Sequence, residues 1–188
     1  MPWTFKKVVK LVLLSLCLVA ICMCGIGLLL VAFVVHDFSQ ELPVLASAQY
    51  RPPLTTKLYD VRGRLITELQ NEENRAEIVS ISQIPRLTQI AFVASEDKRF
   101  YDHYGIDPEG LFRAVVANFL RGRKAQGGST ITMQLARNRF LTLKKTYTRK
   151  IQEMIMSVRL ERHYTKDEIL GQYLNEIFFG GNIYGIAS

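Results

Sequence analysis

Residues 84–109 read IPRLTQIAFVASEDKRFYDHYGIDPE, and they join the end of one predicted helix to the start of the next. The apolar residues that share a helical face in the first half are Ile90, Val93 and Ala94. This spacing predicts a helix that begins near residue 84 and ends close to Glu96. Asp107 and Pro108 form a typical helix start, since aspartate caps free N–H groups and proline suits the first helical position. A charged turn is therefore expected between two helices, with Glu96 at its beginning.

Four helices are predicted from Asp107 onward. Hydrophobic periodicity and capping residues place them at about 108–120, 129–138, 146–163 and 166–178. Residues 121–128 contain three glycines and almost no apolar side chain, which predicts a mobile loop. In the third of these helices, the apolar residues expected to be buried are Ile151, Met154, Ile155 and Val158. The pattern predicts a mainly α fold.

The N-terminal part of the chain contains a long apolar segment. Residues 11–35 are 25 consecutive residues without a charge, and a helix of that length measures about 37 Å. The hydrocarbon core of a bilayer is about 30 Å thick, so residues 11–35 are expected to form one transmembrane helix. Lysines precede the segment and acidic residues follow it, which places the tail 1–10 in the cytoplasm and the rest of the chain outside.

A cleaved signal peptide is the alternative interpretation of this segment. Residues 46–48, Ala-Ser-Ala, resemble a cleavage site. They lie well beyond the apolar run, however, and that run exceeds the usual length of about 7–15 residues. An uncleaved anchor is therefore favoured.

Two short segments connect the anchor to the helices. Residues 36–55 are expected to form a juxtamembrane connector, which contains Pro52 and Pro53. Residues 56–66 alternate apolar and polar side chains around a turn at Arg62-Gly63. This alternation predicts a small β-hairpin ahead of the helical domain.

The chain has a net charge of +7, and its cations are concentrated in one region. Residues 110–152 contain ten basic residues and no Asp or Glu. A field of one sign implies an anionic partner such as a phosphate or a lipid headgroup, whereas a solubilising surface usually mixes both signs. Nucleic acid is excluded as a partner because the region is expected to lie outside the cytoplasm. The basic residues are Arg113, Arg121, Arg123, Lys124, Arg137, Arg139, Lys144, Lys145, Arg149 and Lys150.

Glu96 is a candidate general base. At a helix C-terminus the dipole disfavours its charged form, while neighbouring Lys98 and Arg99 favour it. Such opposing influences can keep a carboxylate poised for proton transfer. On spacing alone, a charged helix end solvated by water is the more common explanation.

Glu153 is the second candidate carboxylate. It follows Arg149 by four positions and Lys150 by three, so the three residues share one helix face, with Ile151 and Ile155 on the opposite, buried face. The simplest interpretation is a surface ion pair worth about 0.3–0.5 kcal/mol. The alternative is a carboxylate held among cations beside a bound pyrophosphate.

A glycine-rich segment supplies a candidate anion site. Residues 127–130, Gly-Gly-Ser-Thr, lead into a predicted helix N-terminus, where free N–H groups can bind an anion that glycines allow to approach closely. The pattern is weak by itself, because serine and threonine are ordinary helix caps. His103, in the charged turn, is expected to be a structural hydrogen-bonding residue rather than a base.

Four segments resemble, in order, the signatures of glycosyltransferase family 51. They are residues 96–107 (EDKRFYDHYGID), 128–138 (GSTITMQLARN), 149–153 (RKIQE) and 169–186, which includes YLNEIFFG. The resemblance covers roughly residues 53–188. Residues 56–69 also resemble the segment that precedes this domain in class A penicillin-binding proteins.

The resemblance implies a lysozyme-like helical glycosyltransferase domain at residues 56–188, which polymerises lipid II onto a growing glycan strand. It implies Glu96 and Glu153 as catalytic carboxylates, with Glu153 orienting cations or holding a divalent cation, expected to be Mg²⁺. The domain would lie on the outer side of a bacterial cytoplasmic (inner) membrane, against the bilayer, with other cell-wall synthesis proteins as further partners. The expected substrate-binding or site-shaping residues are Phe100, His103, Arg113, Ser129, Thr130, Gln134, Arg137, Asn138, Arg149 and Lys150.

The chain departs from the family pattern at three points. Met133 stands where the second signature commonly has glutamine, and a thioether cannot make the hydrogen bonds of an amide. Arg137 replaces a frequent lysine and keeps the positive charge. The sequence also stops at Ser188, before the further helices and the transpeptidase domain that the resemblance implies, so the domain is expected to be C-terminally incomplete.

Two other functions remain open. A lysozyme-like glycan hydrolase also uses two carboxylates on a helical fold, but it does not need a field of ten cations. A non-catalytic, membrane-anchored scaffold is the other. A glycosyltransferase makes longer glycan chains, whereas a hydrolase makes shorter ones. Unaltered function after loss of Glu96 would indicate the scaffold.

Overall fold

The structure is a computed structural model, and it describes residues 5–40, 42–43, 45, 55–69, 77–123, 127–141 and 146–188. It divides into two compact units, residues 1–41 and 42–188. Most of the predicted connector lies outside the described residues, as does the centre of the predicted mobile loop, residues 124–126.

The first unit contains helix α1, Phe5–Gln40, which has 36 residues. Its segment Lys7–Gln40 contains an 18-residue stretch with a mean hydropathy of 3.0 and is long enough to cross a membrane. The helix therefore extends beyond the predicted span of 11–35. After Val35 it continues through polar residues, where the Ser39 hydroxyl donates to the carbonyl of His36.

The second unit begins with the predicted hairpin. Strand β1, Thr56–Tyr59, pairs antiparallel with strand β2, Leu65–Leu69. Asp60 closes the turn, since its carboxylate accepts hydrogen bonds from the backbone N–H groups of Arg62 and Arg64. The bond from the Arg64 backbone is the main cause that lowers the pKa of the Asp60 carboxyl below its usual range. The hairpin prediction is confirmed.

Five helices follow, and their starts agree with the sequence analysis to within a few residues. Thr130, Thr146 and Thr165 each cap a helix by accepting a backbone N–H, and Thr165 also forms a capping box with Glu168. A short 3₁₀-helix, Ile81–Gln83, precedes them. The helices are α2 (Arg86–Glu96), α3 (Pro108–Arg121), α4 (Ile131–Phe140), α5 (Tyr147–His163) and α6 (Lys166–Glu176).

The last predicted helix is shorter than expected. It ends at Glu176 rather than near Phe178, and strand β3, Phe178–Gly180, pairs with strand β4, Ile183–Tyr184. Asn182, at the turn, has a positive φ of 64°. The helix thus ends four residues before Gly180, and the second hairpin was not predicted.

The core lies between α4, α5 and α6. It includes side chains of Ile131, Leu135, Met156, Leu160, Ile169, Leu170 and Leu174, all fully buried. The predicted buried face of α5 is wrong: residues 151, 154, 155 and 158 are only partly buried, and the buried residues are Glu153, Met156, Ser157 and Leu160. The predicted and the observed buried residues both recur at helical spacing, so the sequence pattern does not distinguish them. Packing against α4 and α6 determines which set is buried.

Candidate active site

A cavity of about 620 Å³ opens where the end of α2 meets the starts of α3 and α4. It combines the ends of three helices, and it contains both carboxylates and cations. Most of its lining comes from the first two signature segments. The lining residues are Ser95, Glu96, Asp97, Lys98, Asp107, Gly110, Arg113, Gly127, Gly128, Ser129, Thr130, Gln134 and Arg137.

Glu96 is the last residue of α2, and its side chain is exposed to this cavity. The Gln134 side chain of α4 donates a hydrogen bond from Nε2 to Oε2 of Glu96 at 2.9 Å. A carboxylate that is open to a cavity and held by one donor is placed as a general base requires.

Asp97 joins the end of α2 to the start of α4. Its carboxylate is buried, and Oδ2 accepts hydrogen bonds from Nε2 of His103 and from the backbone N–H of Ile131, both at 3.0 Å. The sequence analysis did not assign Asp97 a role, although its place beside Glu96 was a signal. His103 is itself buried and does not line the cavity in the described part of the chain. This position fits the structural role expected for that histidine.

The segment before α4 is held by hydrogen bonds of Thr130 and by close packing at nearby glycines. The Thr130 hydroxyl accepts from the backbone N–H of Met133 and donates to the carbonyl of Gly105 at 2.6 Å. A side chain at Gly105 would meet the backbone of Ser157 at 2.7 Å, and one at Gly128 would meet Leu111 at 2.9 Å. Gly105 and Gly128 are therefore needed for close packing.

Met133 lies in the interior. Its side chain is buried, and it is not among the described residues that line the cavity.

Glu153 lies inside the protein, which corrects the expected surface face of α5. Its side chain is 2% exposed, Oε1 accepts from Nη1 of Arg149 at 2.6 Å, and Oε2 accepts from Nζ of Lys150 at 3.0 Å. Lys150 also donates to the hydroxyl of Ser129 at 2.6 Å, and Ser129 lines the cavity. Glu153 thus reaches the cavity through Lys150 and Ser129 rather than facing Glu96 directly.

This arrangement does not fit a divalent cation at Glu153. Both carboxylate oxygens already accept from positively charged donors, and a metal ion would have to displace them. Within the described ranges, no group of three or more His, Cys, Asp or Glu side chains is placed to hold a metal ion. The contacts of Glu153 therefore do not support the expected Mg²⁺ at this carboxylate.

The remaining predicted residues fall in three places. Arg113 and Arg137 line the cavity. Phe100 is fully buried in the core, with Nζ of Lys166 at 4.5 Å from its ring centre, and it is not among the described residues that line the cavity. Asn138 is exposed and accepts a hydrogen bond from Nε of Arg137 at 3.2 Å, but it does not line the cavity as described.

Tyr173 of α6 is a further neighbour of Glu96. Burial is the main cause that raises the pKa of its hydroxyl far above the usual value, and the negative charge of Glu96 adds to the effect while Arg137 opposes it. Its ring packs edge-on against Phe92 at 6.4 Å, one helical turn before Glu96. The phenol is therefore neutral near the carboxylate. The sequence showed Tyr173 as part of the fourth segment and gave no sign of this proximity.

Replacing Glu153 with glutamine is expected to lower the free energy of unfolding by about 3 kcal/mol, because Arg149 and Lys150 lose their anion in a partly buried site. Denaturant unfolding followed by circular dichroism measures this loss. The control is Glu109→Gln, which removes one partner of a more exposed ion pair with Arg99 and should cost less than about 1 kcal/mol. Equal losses of unfolding free energy in the two variants would contradict the buried pairing of Glu153 with Arg149 and Lys150.

Comparison with known proteins supports the sequence resemblance. The family described as Transglycosylase matches residues 62–188. Penicillin-binding protein 1A/1B of Bacillus subtilis is 46% identical over 147 residues, which cover 78% of this chain and 16% of that protein. Penicillin-binding protein 1F of the same organism is 44% identical over 163 residues, with 87% and 22% covered.

A relative from a distant bacterium gives the same result. Penicillin-binding protein 1A of Aquifex aeolicus is 40% identical over 163 residues, again covering 87% of this chain and 22% of that protein. The chain thus spans about a fifth of the length of these relatives. The family match includes all four signature segments and more than half of the chain. On this basis, the chain belongs to the transglycosylase family.

Proposed function

We propose that this chain is a peptidoglycan glycosyltransferase, which polymerises lipid II onto a growing glycan strand. The observation that carries the proposal is the convergence of Glu96, Lys98, Arg113 and Arg137 on one cavity beside the start of α4. A base next to cations suits a substrate that must lose a proton at one sugar and a pyrophosphate at another. The names of the relatives, all penicillin-binding proteins, agree with this function.

In the proposed mechanism, Glu96 removes the proton from the 4-hydroxyl of the acceptor sugar. The oxygen attacks the anomeric carbon of the donor, the bond to the lipid pyrophosphate breaks, and the configuration at that carbon inverts. The proton remains on Glu96 until solvent takes it up. Proton transfer of this kind contributes a factor of about 10²–10⁴ in rate.

The departing pyrophosphate gains negative charge, and the cations of the site stabilise it. Arg137 lines the cavity directly, while Lys150 acts at its edge through Ser129. Glu153 holds Arg149 and Lys150 in place, which preorganises the positive charge before the reaction begins.

Synthesis of labelled glycan by the full chain in lipid nanodiscs tests the proposal. Lipid II should be converted into strands longer than the starting disaccharide, with release of lipid pyrophosphate. Shortening of a preformed glycan would indicate a hydrolase instead. No turnover of either substrate would favour a scaffold.

We propose that the domain works on the outer face of the cytoplasmic membrane, anchored by α1 with its N-terminus inside. Helix α3 supports contact with a bilayer, because it exposes a row of large apolar side chains beside cations. Phe119 is 85% exposed, and Arg121 and Arg123 follow it two and four residues later. Exposed aromatic residues next to arginines are typical of a helix that lies in a membrane interface. The other large exposed residues of α3 are Leu111, Phe112, Val115, Val116 and Leu120.

Substituting Phe119→Trp is expected to give tryptophan fluorescence that brominated lipids quench, because this position would lie at the acyl-chain boundary. The matched control is Tyr147→Trp on α5, a position that is 93% exposed and aromatic in the parent chain. The parent chain, which contains Trp3, supplies the background. Equal quenching at positions 119 and 147 would contradict a membrane-facing α3.

A further inference from the structure

Gln134 links α4 to the carboxylate of Glu96 by a hydrogen bond between their side chains. Its Nε2 lies 2.9 Å from Oε2, and the two residues are 38 positions apart in the chain. A carboxylate oxygen can only accept, so the amide must present its N–H₂ group to Glu96. A hydrogen bond to a charged acceptor is among the stronger kinds and is directional.

The position of Gln134 is set by the attachment of α4 to the end of α2. The backbone N–H of Ile131 donates to Asp97, the neighbour of Glu96, and the backbone N–H of Gln134 donates to the carbonyl of Thr130 at 3.0 Å. Thr130 is itself tied to Gly105. Gln134 therefore lies one turn into a helix whose start is fixed to the residue that follows Glu96.

We propose that Gln134 is a positioning residue for the catalytic base: its amide holds Oε2 of Glu96 and directs Oε1 toward the acceptor hydroxyl. This inference rests on the proposed function and deepens it, since the sequence analysis assigned Gln134 only to substrate contact or site shape. Other side chains of α4 bind partners away from Glu96, as Thr132 does with Glu161 and Arg139 with Gln172, whereas this bond orients the reacting group. A misplacement of about 1 Å in such a group can reduce the rate by about 10²-fold.

Two substitutions separate positioning from substrate binding. Gln134→Met keeps the length and helix propensity of the side chain but removes the donor, and kcat for lipid II should fall 10- to 100-fold while KM changes less than about twofold. Gln134→His places a neutral ring N–H at a similar distance from the backbone, and it should recover most of kcat.

The matched control is Gln172→Met. Gln172 of α6 accepts a hydrogen bond from Arg139 of α4, away from the cavity lining, so this variant removes another glutamine contact of the same helix. It should leave kcat and KM unchanged. A raised KM with unchanged kcat in Gln134→Met, or equal losses with methionine and histidine, would overturn the proposal.

A spectroscopic readout is independent of turnover. In the ¹⁵N-labelled full chain, the side-chain amide resonance of Gln134, assigned by its loss in Gln134→Met, should shift when Glu96→Met removes the acceptor. An unmoved resonance overturns the proposed hydrogen bond, even in an active enzyme. An inactive wild-type chain would contradict the proposed function instead, and the amide shift would still show whether Gln134 holds Glu96.

Discussion

Glu96→Gln is expected to reduce polymerisation of labelled lipid II by about 10²–10⁴-fold, the range that general base catalysis contributes. The amide has the shape of the carboxylate but cannot take the acceptor's proton. Because Glu96 is exposed at the end of α2, the helical circular-dichroism spectrum should stay unchanged. Initial rates of strand synthesis at saturating lipid II provide the measurement.

The control for this experiment is Glu77→Gln, an equal change of charge at an exposed position outside the cavity lining. It should keep the rate of the parent chain. Near-normal turnover in Glu96→Gln would refute the assignment of Glu96 as the base. The same outcome is what a scaffold function predicts, so this substitution separates a catalytic from a non-catalytic protein.

Arg149→Ala is expected to reduce the rate by about 10²–10³-fold, the usual effect of removing one electrostatic stabiliser of a transition state. Its guanidinium holds one oxygen of Glu153, and the other oxygen holds Lys150 against Ser129 at the cavity. In the proposed mechanism, loss of Arg149 removes a cation near the leaving pyrophosphate and loosens Lys150 at the same time. The rate should therefore fall far more than the loss of a surface ion pair would explain.

The control is Arg121→Ala, which removes an exposed cation at the end of α3. Both variants change the net charge equally, so a general effect of charge on substrate attraction appears in both. A loss in Arg149→Ala that only equals the control would contradict the role in pyrophosphate stabilisation. Denaturant unfolding of each variant shows which part of the loss comes from instability, and Lys150→Met should reproduce the kinetic part with a smaller change in stability.

Local signals predicted the helices well. Thr130, Thr146 and Thr165 each mark a helix start, because a threonine cap requires only the few residues that follow it. The first hairpin is local in the same sense, since Asp60 and the residues after it close the turn among themselves. By contrast, the short strands after α6 contain few residues and no clear alternation, so the helical pattern before them extended the prediction too far.

The sequence analysis named residues of the candidate site but not their arrangement in space. Glu96, Arg113, Ser129, Gln134 and Arg137 line one cavity, as the resemblance to the family led us to expect. The role of Asp97 and the proximity of Tyr173 to Glu96 depend on contacts between helices that are far apart in the chain. Periodicity describes each helix alone, and it holds no information on which face meets a neighbour.

The sequence by itself determined the family, the order of the helices and the candidate carboxylate at the end of α2, because motifs, caps and periodicity are properties of nearby residues. Tertiary structure decided which face of α5 is buried, and with it the role of Glu153. On the sequence alone this residue was a surface ion pair, or a carboxylate beside a pyrophosphate that orients cations or holds a divalent cation. Packing against α4 and α6 buries it, and a buried carboxylate must be paired, so Arg149 and Lys150 take both its oxygens.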